Sequence, residues 1–241
     1  MYKPGDSIVS KNIFFRCASF LTFYSLIGIA TCLTFGLYSF KVHNRHRLCS
    51  LTKAVTVSNH TMLLDPVFMN IVTRPYHLYQ TLLEKTVCSP FIGTFTRLLG
   101  GVPIPRRDFN GCKLYSGAKE ALRQRRFLHF YPEGECYIYN ACPKPFHAGA
   151  FITAAVLNVP VVPIATVFKD NGKRPKIHLY ILEPINTKDF NVIKADGTVD
   201  SVAARNFAEE VRKRIAREIT NNKGTGKYYK GHMKRIAGIN G

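Results

Sequence analysis

His60 and Asp65 are the residues of this sequence best placed to perform acid–base chemistry. His60 follows the β-rich run Ala54–Val57, and Asp65 lies five residues later, where a helix is predicted to begin. A carboxylate bonded to one ring nitrogen of a histidine fixes its tautomer and leaves the other nitrogen free to take a proton from a hydroxyl. The spacing therefore predicts a general base, although it also suits an Asp65 that only caps its helix.

Three further segments carry residues suited to a phosphate-bearing substrate. Arg106 and Arg107 follow Gly-Gly-Val-Pro-Ile-Pro, and a planar guanidinium matches the geometry of phosphate oxygens. Glu133 and Gly134 follow the predicted strand Phe127–Tyr131, at the carboxyl edge where α/β folds usually bind ligands. A last segment, Val-Pro-Val-Val-Pro, opens the next strand with rigid prolines that lack an N–H donor.

In this order the four segments resemble the family of glycerol-phosphate and lysophospholipid acyltransferases, whose members carry N-H-x-x-x-x-D, G…R, F-P-E-G and V-P-x-x-P. The resemblance covers residues 50–185. It implies transfer of an acyl group from a thioester of coenzyme A or of an acyl carrier protein to the hydroxyl of a lysophospholipid. The short architecture is most similar to the branch that acylates 1-acyl-glycerol 3-phosphate to phosphatidic acid, so that lysophospholipid is the expected acceptor.

The resemblance also implies roles for individual residues. Its catalytic residues are His60 as the base and Asp65 as its orienting partner. Its substrate-binding residues are Arg106 for the phosphate and Glu133 with Gly134 for the acceptor. Further possible contacts with the substrate are Asn59, Arg107 and His147, the last standing where many relatives have a lysine. No metal site and no cofactor are expected, because the thioester is itself a substrate.

The chain beyond residue 50 alternates β-rich runs with helical stretches, which is typical of an α/β fold. The predicted strands are Ala54–Val57, His77–Leu83, Phe127–Tyr131, Pro160–Phe168 and Lys176–Leu182. The predicted helices are Asp65–Val72, Pro90–Leu99, Lys113–Arg123 and a last one that Asp200 or Ser201 caps and that ends near Ile219. We therefore expect an α/β domain with a mixed sheet flanked by helices, and an N-terminal membrane helix or helical hairpin.

Cys17–Phe40 is an uncharged apolar run of 24 residues, long enough to cross a bilayer as a helix. A cleaved signal peptide would normally have a shorter apolar region, so a retained anchor is favoured. Gly28 and Gly36 would also permit a hairpin that enters only one leaflet. We divide the chain into an N-terminal membrane-anchoring segment (1–48), an acyltransferase domain (49–220) and a basic, flexible tail (221–241).

The chain carries 34 Lys and Arg against 15 acidic residues, a formal net charge of +19 that attracts phosphate-rich partners. Anionic membrane lipids fit this charge, and so would nucleic acid. However, the sequence lacks an RNP-type motif, a zinc finger and a helix-turn-helix signature, so we expect no nucleic acid partner. The arginine clusters at 123–126 and 212–214 fit solvated helix faces.

The cysteines indicate the compartment of the active site, and two alternative reactions remain to be compared with acyl transfer from a thioester. The seven cysteines form no C-x-x-C pair, which favours a reducing compartment and an active site that faces the cytosol from a membrane. A lipid hydrolase would need an activated serine, and no G-x-S-x-G elbow is present. A remodelling transacylase of the tafazzin type would share the His–Asp motif, and it would take its acyl group from another phospholipid.

Overall fold

The centre of the molecule is one mixed sheet. The computed structural model describes residues 3, 6–104, 111–170 and 176–227. The strands within these residues are β1 (Ser39–His43), β2 (Ala54–Ser58), β3 (Tyr79–Leu83), β4 (Gly101–Ile104), β5 (Phe127–Phe130), β6 (Val161–Lys169) and β7 (Lys176–Ile181). Their order across the sheet is β1-β7-β6-β2-β5-β3-β4. Neighbouring strands are parallel except β6 and β7, so β1 and β7 run against the other five.

Helices cover both faces of this sheet, as expected for an α/β layer fold. They are α1 (Ile13–Leu37), α2 (His46–Cys49), α3 (Asp65–Thr73), α4 (Glu84–Cys88), α5 (Ile92–Leu98), α6 (Cys112–Gln124), α7 (Gly149–Val156) and α8 (Ser201–Asn221). Asp200 caps α8 as predicted, because its side chain accepts hydrogen bonds from the N–H groups of Val202 and Ala203. The mixed sheet flanked by helices confirms the predicted fold class.

Alternating side chains divide the core into two layers. On β6, Val161, Ala165 and Val167 belong to the layer that contains Phe151 of α7 and Phe207 of α8. The residues between them, including Val162 and Ile164, belong to the opposite layer, which contains Phe23 of α1 and Phe68 of α3. Because successive side chains of a strand point to opposite faces, an unbroken apolar strand such as β6 is buried on both sides.

The apolar N-terminal run forms a single helix of 25 residues, α1, in which neither Gly28 nor Gly36 produces a hairpin. Asn12 caps its start, and Tyr38 leaves the helix in extended backbone. One face of α1 packs on α3 and α5 through Ser19, Phe23 and Ile27. The helix is long and apolar enough to cross a membrane. Large apolar side chains are exposed on it at Ile13, Phe14, Phe20, Leu21, Tyr24, Leu26, Ile29, Leu33, Phe35 and Leu37.

Several elements depart from the sequence-based prediction. Residues 39–43, assigned to the membrane-anchoring segment, instead form β1 at the edge of the catalytic sheet, paired with β7. Strand β4 and helix α7 were not predicted. The start of the predicted tail is attached to the domain, because the N–H of Thr225 donates to the carbonyl oxygen of Phe168. Residues 228–241 of that tail lie outside the described residues, and the three-part division of the chain stays a prediction.

Gly93 provides a test of the packing between α5 and α4. A Cβ added at this buried glycine would lie 1.9 Å from the backbone oxygen of Val87, whereas a Cβ at Gly149 would meet nothing within 4 Å. We expect Gly93→Ala to lower the free energy of unfolding by about 1–3 kcal/mol through overpacking, and Gly149→Ala to be neutral or slightly stabilising. Thermal unfolding of both variants measures this, and equal midpoints would contradict the close contact.

Candidate active site

Two loops that follow neighbouring parallel strands build the candidate active site. β2 and β5 lie side by side, so the segments after Ser58 and after Phe130 leave the sheet at the same edge. The loops then run along each other, because the N–H groups of Tyr137 and Tyr139 donate to the carbonyl oxygens of His60 and Thr61 at 3.0 and 2.9 Å. This pairing brings the His60 loop against the segment that carries Glu133.

His60 and Asp65 meet as predicted. The His60 Nδ1 atom lies 2.8 Å from Asp65 Oδ2. Because an ionised carboxylate only accepts hydrogen bonds, Nδ1 carries the proton and the other ring nitrogen, Nε2, is left with a free lone pair. The His60 side chain is 20% exposed, whereas that of Asp65 is fully buried. The arrangement can therefore take a proton from a ligand that reaches Nε2.

Asp65 binds the loop before it instead of capping its own helix. Its Oδ2 atom also accepts hydrogen bonds from the N–H groups of Thr61 and Met62, at 2.6 and 2.9 Å. The capping position of α3 is Leu64, which makes no side-chain capping bond. The alternative reading of Asp65 as a simple helix cap is therefore wrong, and the carboxylate instead orients His60.

The Tyr131 ring packs against one face of the His60 imidazole, a contact that the sequence analysis did not predict. The two rings stack, with centroids 4.2 Å apart. The Tyr131 hydroxyl donates to Gln80 Oε1 at 3.2 Å, and Gln80 in turn donates to the carbonyl oxygen of Pro66 at 2.8 Å. Burial raises the pKa of Tyr131 well above its usual value, and the charge of Asp65 adds to this. The neutral phenol therefore acts as a support for the base.

Glu133 holds two loops with its two carboxylate oxygens. Oε1 accepts from the His60 N–H at 2.8 Å, and Oε2 accepts from the Lys144 N–H at 2.9 Å. The side chain is buried, and this burial raises the pKa of Glu133 to about 7 against the opposing effect of those two hydrogen bonds. Glu133 thus positions the backbone of the base, and its predicted contact with the acceptor stays a prediction.

Gly134 and His147 lie together beside Glu133. Gly134 has a φ of +72°, a left-handed conformation that favours glycine. A Cβ there would also approach the His147 ring to 3.2 Å. The exposed His147 is fixed by its backbone N–H, which donates to the Pro132 carbonyl oxygen at 2.8 Å. The structure thus brings His147 to the rim of the site, where contact with a substrate stays a prediction.

Asn59 corrects one of the predicted substrate contacts. Its side-chain amide donates to the Thr166 carbonyl oxygen at 3.0 Å and accepts from the Thr166 N–H at 2.9 Å. The residue is 1% exposed. Because both polar ends of the amide are bound to β6, Asn59 extends the pairing of β2 with β6 beyond Ser58. It anchors the His60 loop and is not available to a substrate.

The second histidine near the site, His129, is packed within the sheet. His129 is completely buried in β5, and its ring nitrogens lie 2.9 Å from Thr56 Oγ1 and 3.2 Å from Ser58 Oγ. Burial lowers the pKa of His129 to about 3, and the nearby His60 adds to the effect. His129 therefore stays neutral and serves as a buried hydrogen-bonding residue of the sheet.

Arg106, the predicted phosphate ligand, and Arg107, a possible substrate contact, lie outside the described residues. The described strand β4 ends at Ile104, two residues before Arg106. Within the described ranges no group of three or more His, Cys, Asp or Glu side chains is arranged to hold a metal ion. Cys136 is buried, and burial raises the pKa of its thiol to about 12, which argues against a nucleophilic role.

Known proteins resemble this chain in sequence and in fold. A model of the family described as Acyltransferase matches residues 39–167, more than half of the 241 residues. An uncharacterized acyltransferase of Schizosaccharomyces pombe is 29% identical over 150 residues, which are 61% of this chain and 52% of that protein. The chain therefore spans about half the length of this relative.

A solved structure extends the comparison to the fold. The 1-acyl-sn-glycerophosphate (LPA) acyltransferase PlsC from Thermotoga maritima is similar with a TM-score of 0.59 and 19% sequence identity. The match covers 89% of this chain and 85% of that chain. At this identity the similarity shows a common fold, which includes the mixed sheet and its flanking helices.

The raised pKa of Glu133 predicts a pH-dependent stability. Between pH 5 and 7.5 the unfolded chain has an ionised Glu133 while the folded protein retains its proton up to a pKa of about 7, so stability falls as the pH rises. Relative to Glu133→Gln, which does not titrate, the wild type should lose up to about 3 kcal/mol of unfolding free energy. Urea unfolding at both pH values measures this difference.

Glu120→Gln is the matched control for this comparison. Hydrogen bonds from Arg123 and Gln124 lower the pKa of Glu120 to about 2, so this carboxylate is ionised throughout the same pH range in both states. The difference in stability between the wild type and Glu120→Gln should therefore not change with pH. A wild type that gains stability over Glu133→Gln as the pH rises would show that the two N–H bonds outweigh burial.

Proposed function

Because the chain belongs to the acyltransferase family, we propose that it transfers a fatty acyl group from an acyl thioester to the free hydroxyl of a lysophospholipid. The observation that carries the proposal is the His60 ring, whose Nδ1 is bound to Asp65 while Nε2 makes no hydrogen bond within the described residues. The preferred acceptor is 1-acyl-glycerol 3-phosphate, in keeping with the basic chain and with the substrate for which PlsC is named. The donor is a thioester of coenzyme A or of an acyl carrier protein.

The proposed reaction needs no covalent enzyme intermediate. The lysophospholipid hydroxyl oxygen attacks the thioester carbonyl carbon while His60 Nε2 accepts the hydroxyl proton. Asp65 stabilises the imidazolium that forms, since its buried carboxylate is already bound to Nδ1. When the carbon–sulfur bond breaks, the imidazolium gives the proton to the sulfur. The products are a phospholipid ester and a free thiol, and the base returns to its starting state.

A cavity beside the catalytic pair supports binding of an acyl chain. It has a volume of about 180 Å³ and lies between α1, α3 and the strands β3 and β4. Its walls are largely apolar, with Phe23 and Ile27 from α1 and Leu82 from β3. Pro66, which follows Asp65, and Gln80, which binds Tyr131, also line it, so one end of the cavity adjoins the base. A fatty chain in this cavity would place its carboxyl end near His60.

The position of α1 supports a membrane-bound enzyme, and an active site that faces the cytosol stays part of the proposal. The helix is about 37 Å long, from 25 residues at 1.5 Å each, and it packs on the domain from Ser19 to Thr34 while its other side exposes large apolar residues. A helix attached along its length to the domain favours a position within one leaflet over a perpendicular crossing. Anionic membrane lipids are the expected surface partners of the basic chain.

We expect His60→Ala to reduce turnover by about 10²–10⁴-fold, the usual contribution of a general base. Asp65→Ala should also reduce turnover, because it removes the partner that orients His60. His46→Ala removes an exposed histidine of α2 and should keep full activity. The assay measures thiol release and the appearance of labelled diacyl product from 1-acyl-glycerol 3-phosphate with an acyl-CoA.

The same assay tests the role of His60 and distinguishes thioester-dependent transfer from transacylation. A folded His60→Ala enzyme with nearly full activity would exclude His60 as the base. Product formation from two phospholipids without any thioester would replace thioester-dependent transfer with transacylation.

Arg106 is proposed to bind the phosphate of the acceptor. Arg106→Ala should raise the KM for the lysophospholipid by about 10–150-fold, since a charge-assisted bond to phosphate contributes about 1.5–3 kcal/mol. The KM for the acyl donor should change far less, and Arg106→Lys should recover only part of the loss because it lacks the planar fork. Arg107→Ala is the matched control. Equal, small effects of both alanine variants would leave the phosphate ligand unassigned.

A further inference from the structure

A second groove lies along α1, away from the candidate active site. It has a volume of about 670 Å³ and is open to the surface. One wall is a stripe of α1 at the spacing of one helix face, and the other consists of residues 75–77 and 79 and residues 124–126. The α1 wall is formed by Ile13, Arg16, Cys17, Phe20, Leu21 and Tyr24.

The groove and the candidate active site lie at opposite ends of the parallel strands. The groove lies at their amino ends and the site at their carboxyl ends. The groove residue His77 precedes β3, and Arg126 immediately precedes β5. His60, in contrast, follows the carboxyl end of β2, which runs parallel to β5. A strand of four residues such as β5 is about 10–13 Å long, so a ligand in the groove would not contact the catalytic pair.

Three guanidiniums line this groove without a compensating carboxylate. Within the described residues, no ion pair involves Arg16, Arg125 or Arg126. The Arg126 Cζ atom lies over the Tyr76 ring, 3.9 Å from its centroid, and neither its side chain nor that of Arg16 makes a hydrogen bond within the described part of the chain. Because a cation–π contact uses none of the N–H donors of a guanidinium in a hydrogen bond, Arg126 can still bind an anion through them.

Arg125 adds a fixed charge behind these two residues. Its side chain donates to the Leu78 carbonyl oxygen at 2.9 Å and to Ser19 Oγ at 3.1 Å, and it stacks on Tyr79 at 3.8 Å. Burial, with a smaller contribution from the charge of Arg16, lowers the pKa of Arg125 to about 10. The guanidinium is still positive at neutral pH, so its charge increases the attraction of the groove for an anion. Arg125 and Arg126 were predicted on a solvated helix face, but α6 ends at Gln124 and both line this groove.

We propose that this groove binds an anionic glycerophospholipid of the membrane, with the phosphate at Arg16 and Arg126 and an acyl chain along Phe20 and Leu21. A phosphate matches the uncompensated guanidiniums, and a hydrocarbon chain matches the exposed apolar stripe of α1 that continues from them. Arg16 and Tyr24 are eight residues apart, or about 12 Å along the helix, which accommodates a headgroup and the start of a chain. The lipid is a structural ligand, and its binding does not depend on the proposed acyl transfer.

Two exposed cysteines of α1 allow lipid binding in the groove to be measured. Cys17 lines the groove, and Cys32 is exposed on the same helix about 22 Å further along. We expect phosphatidylglycerol, added to full-length protein in an uncharged detergent, to slow maleimide labelling of Cys17 about tenfold at ten times its dissociation constant. Labelling of Cys32 should not change, and phosphatidylcholine of the same chain length should protect neither residue. Peptide mass spectrometry reports each site separately.

Charge variants decide whether the protection arises from the groove. Arg16→Gln with Arg126→Gln should abolish it, and Arg16→Gln alone, which changes one exposed residue, should weaken it. The control pair Arg205→Gln with Lys213→Gln removes two exposed charges from α8 and should retain full protection. Thermal unfolding without lipid establishes that the variants are folded.

Four results would overturn the proposal. These are equal protection of Cys17 and Cys32, equal protection by phosphatidylcholine, equal loss in the control pair, and protection by inorganic phosphate alone at the same concentration. The last would show that the apolar wall does not take part. None of these readouts uses catalysis, so the outcome is independent of the proposed reaction.

Discussion

The buried carboxylate of Asp65 is the constraint around which the active-site loop is built. A fully buried negative charge is costly unless several donors bind it. Here one oxygen accepts from the His60 ring and from two successive backbone N–H groups, those of Thr61 and Met62. The loop must therefore curl around the start of α3, and the same curl brings the imidazole to the carboxylate. The hydrogen bonds that solvate the Asp65 charge therefore also orient the His60 ring.

A second buried carboxylate extends this arrangement to the neighbouring loop. Glu133 binds the His60 N–H with one oxygen and the Lys144 N–H with the other. His60 is therefore held through its ring by Asp65 and Tyr131 and through its backbone by Glu133. This division explains why a glutamate followed by a glycine is useful beside the base. The glutamate fixes the backbone of His60, and the glycine adopts a left-handed turn that leaves room for the His147 ring.

Helix α1 joins the core of the domain to an exposed apolar surface. Its Phe23 ring stacks on His77 at 3.5 Å, and burial lowers the pKa of that histidine to about 3, so the contact is neutral. Ser19 donates to the Leu98 carbonyl oxygen at 2.6 Å on the same face. The two flanking faces line the apolar cavity beside the base and the basic groove at the amino ends of the parallel strands. One helix therefore contributes to the core, to the wall of the cavity and to the groove for which a lipid ligand is proposed.

The sequence alone determined the features that depend on local pattern: the strands β2, β3, β5, β6 and β7, the helices α3, α5, α6 and α8, and the His60–Asp65 pair. These follow from hydrophobic periodicity, capping residues and short spacing, which act over a few residues. Only the tertiary structure decided the features that depend on distant partners. β1 forms because β7, more than 130 residues later, pairs with it, and Asn59 is a strand anchor because Thr166 lies opposite. Tyr131 and Glu133 acquired their supporting roles in the same way, since a side chain's hydrogen-bond partners across a sheet are not encoded in its neighbours along the chain.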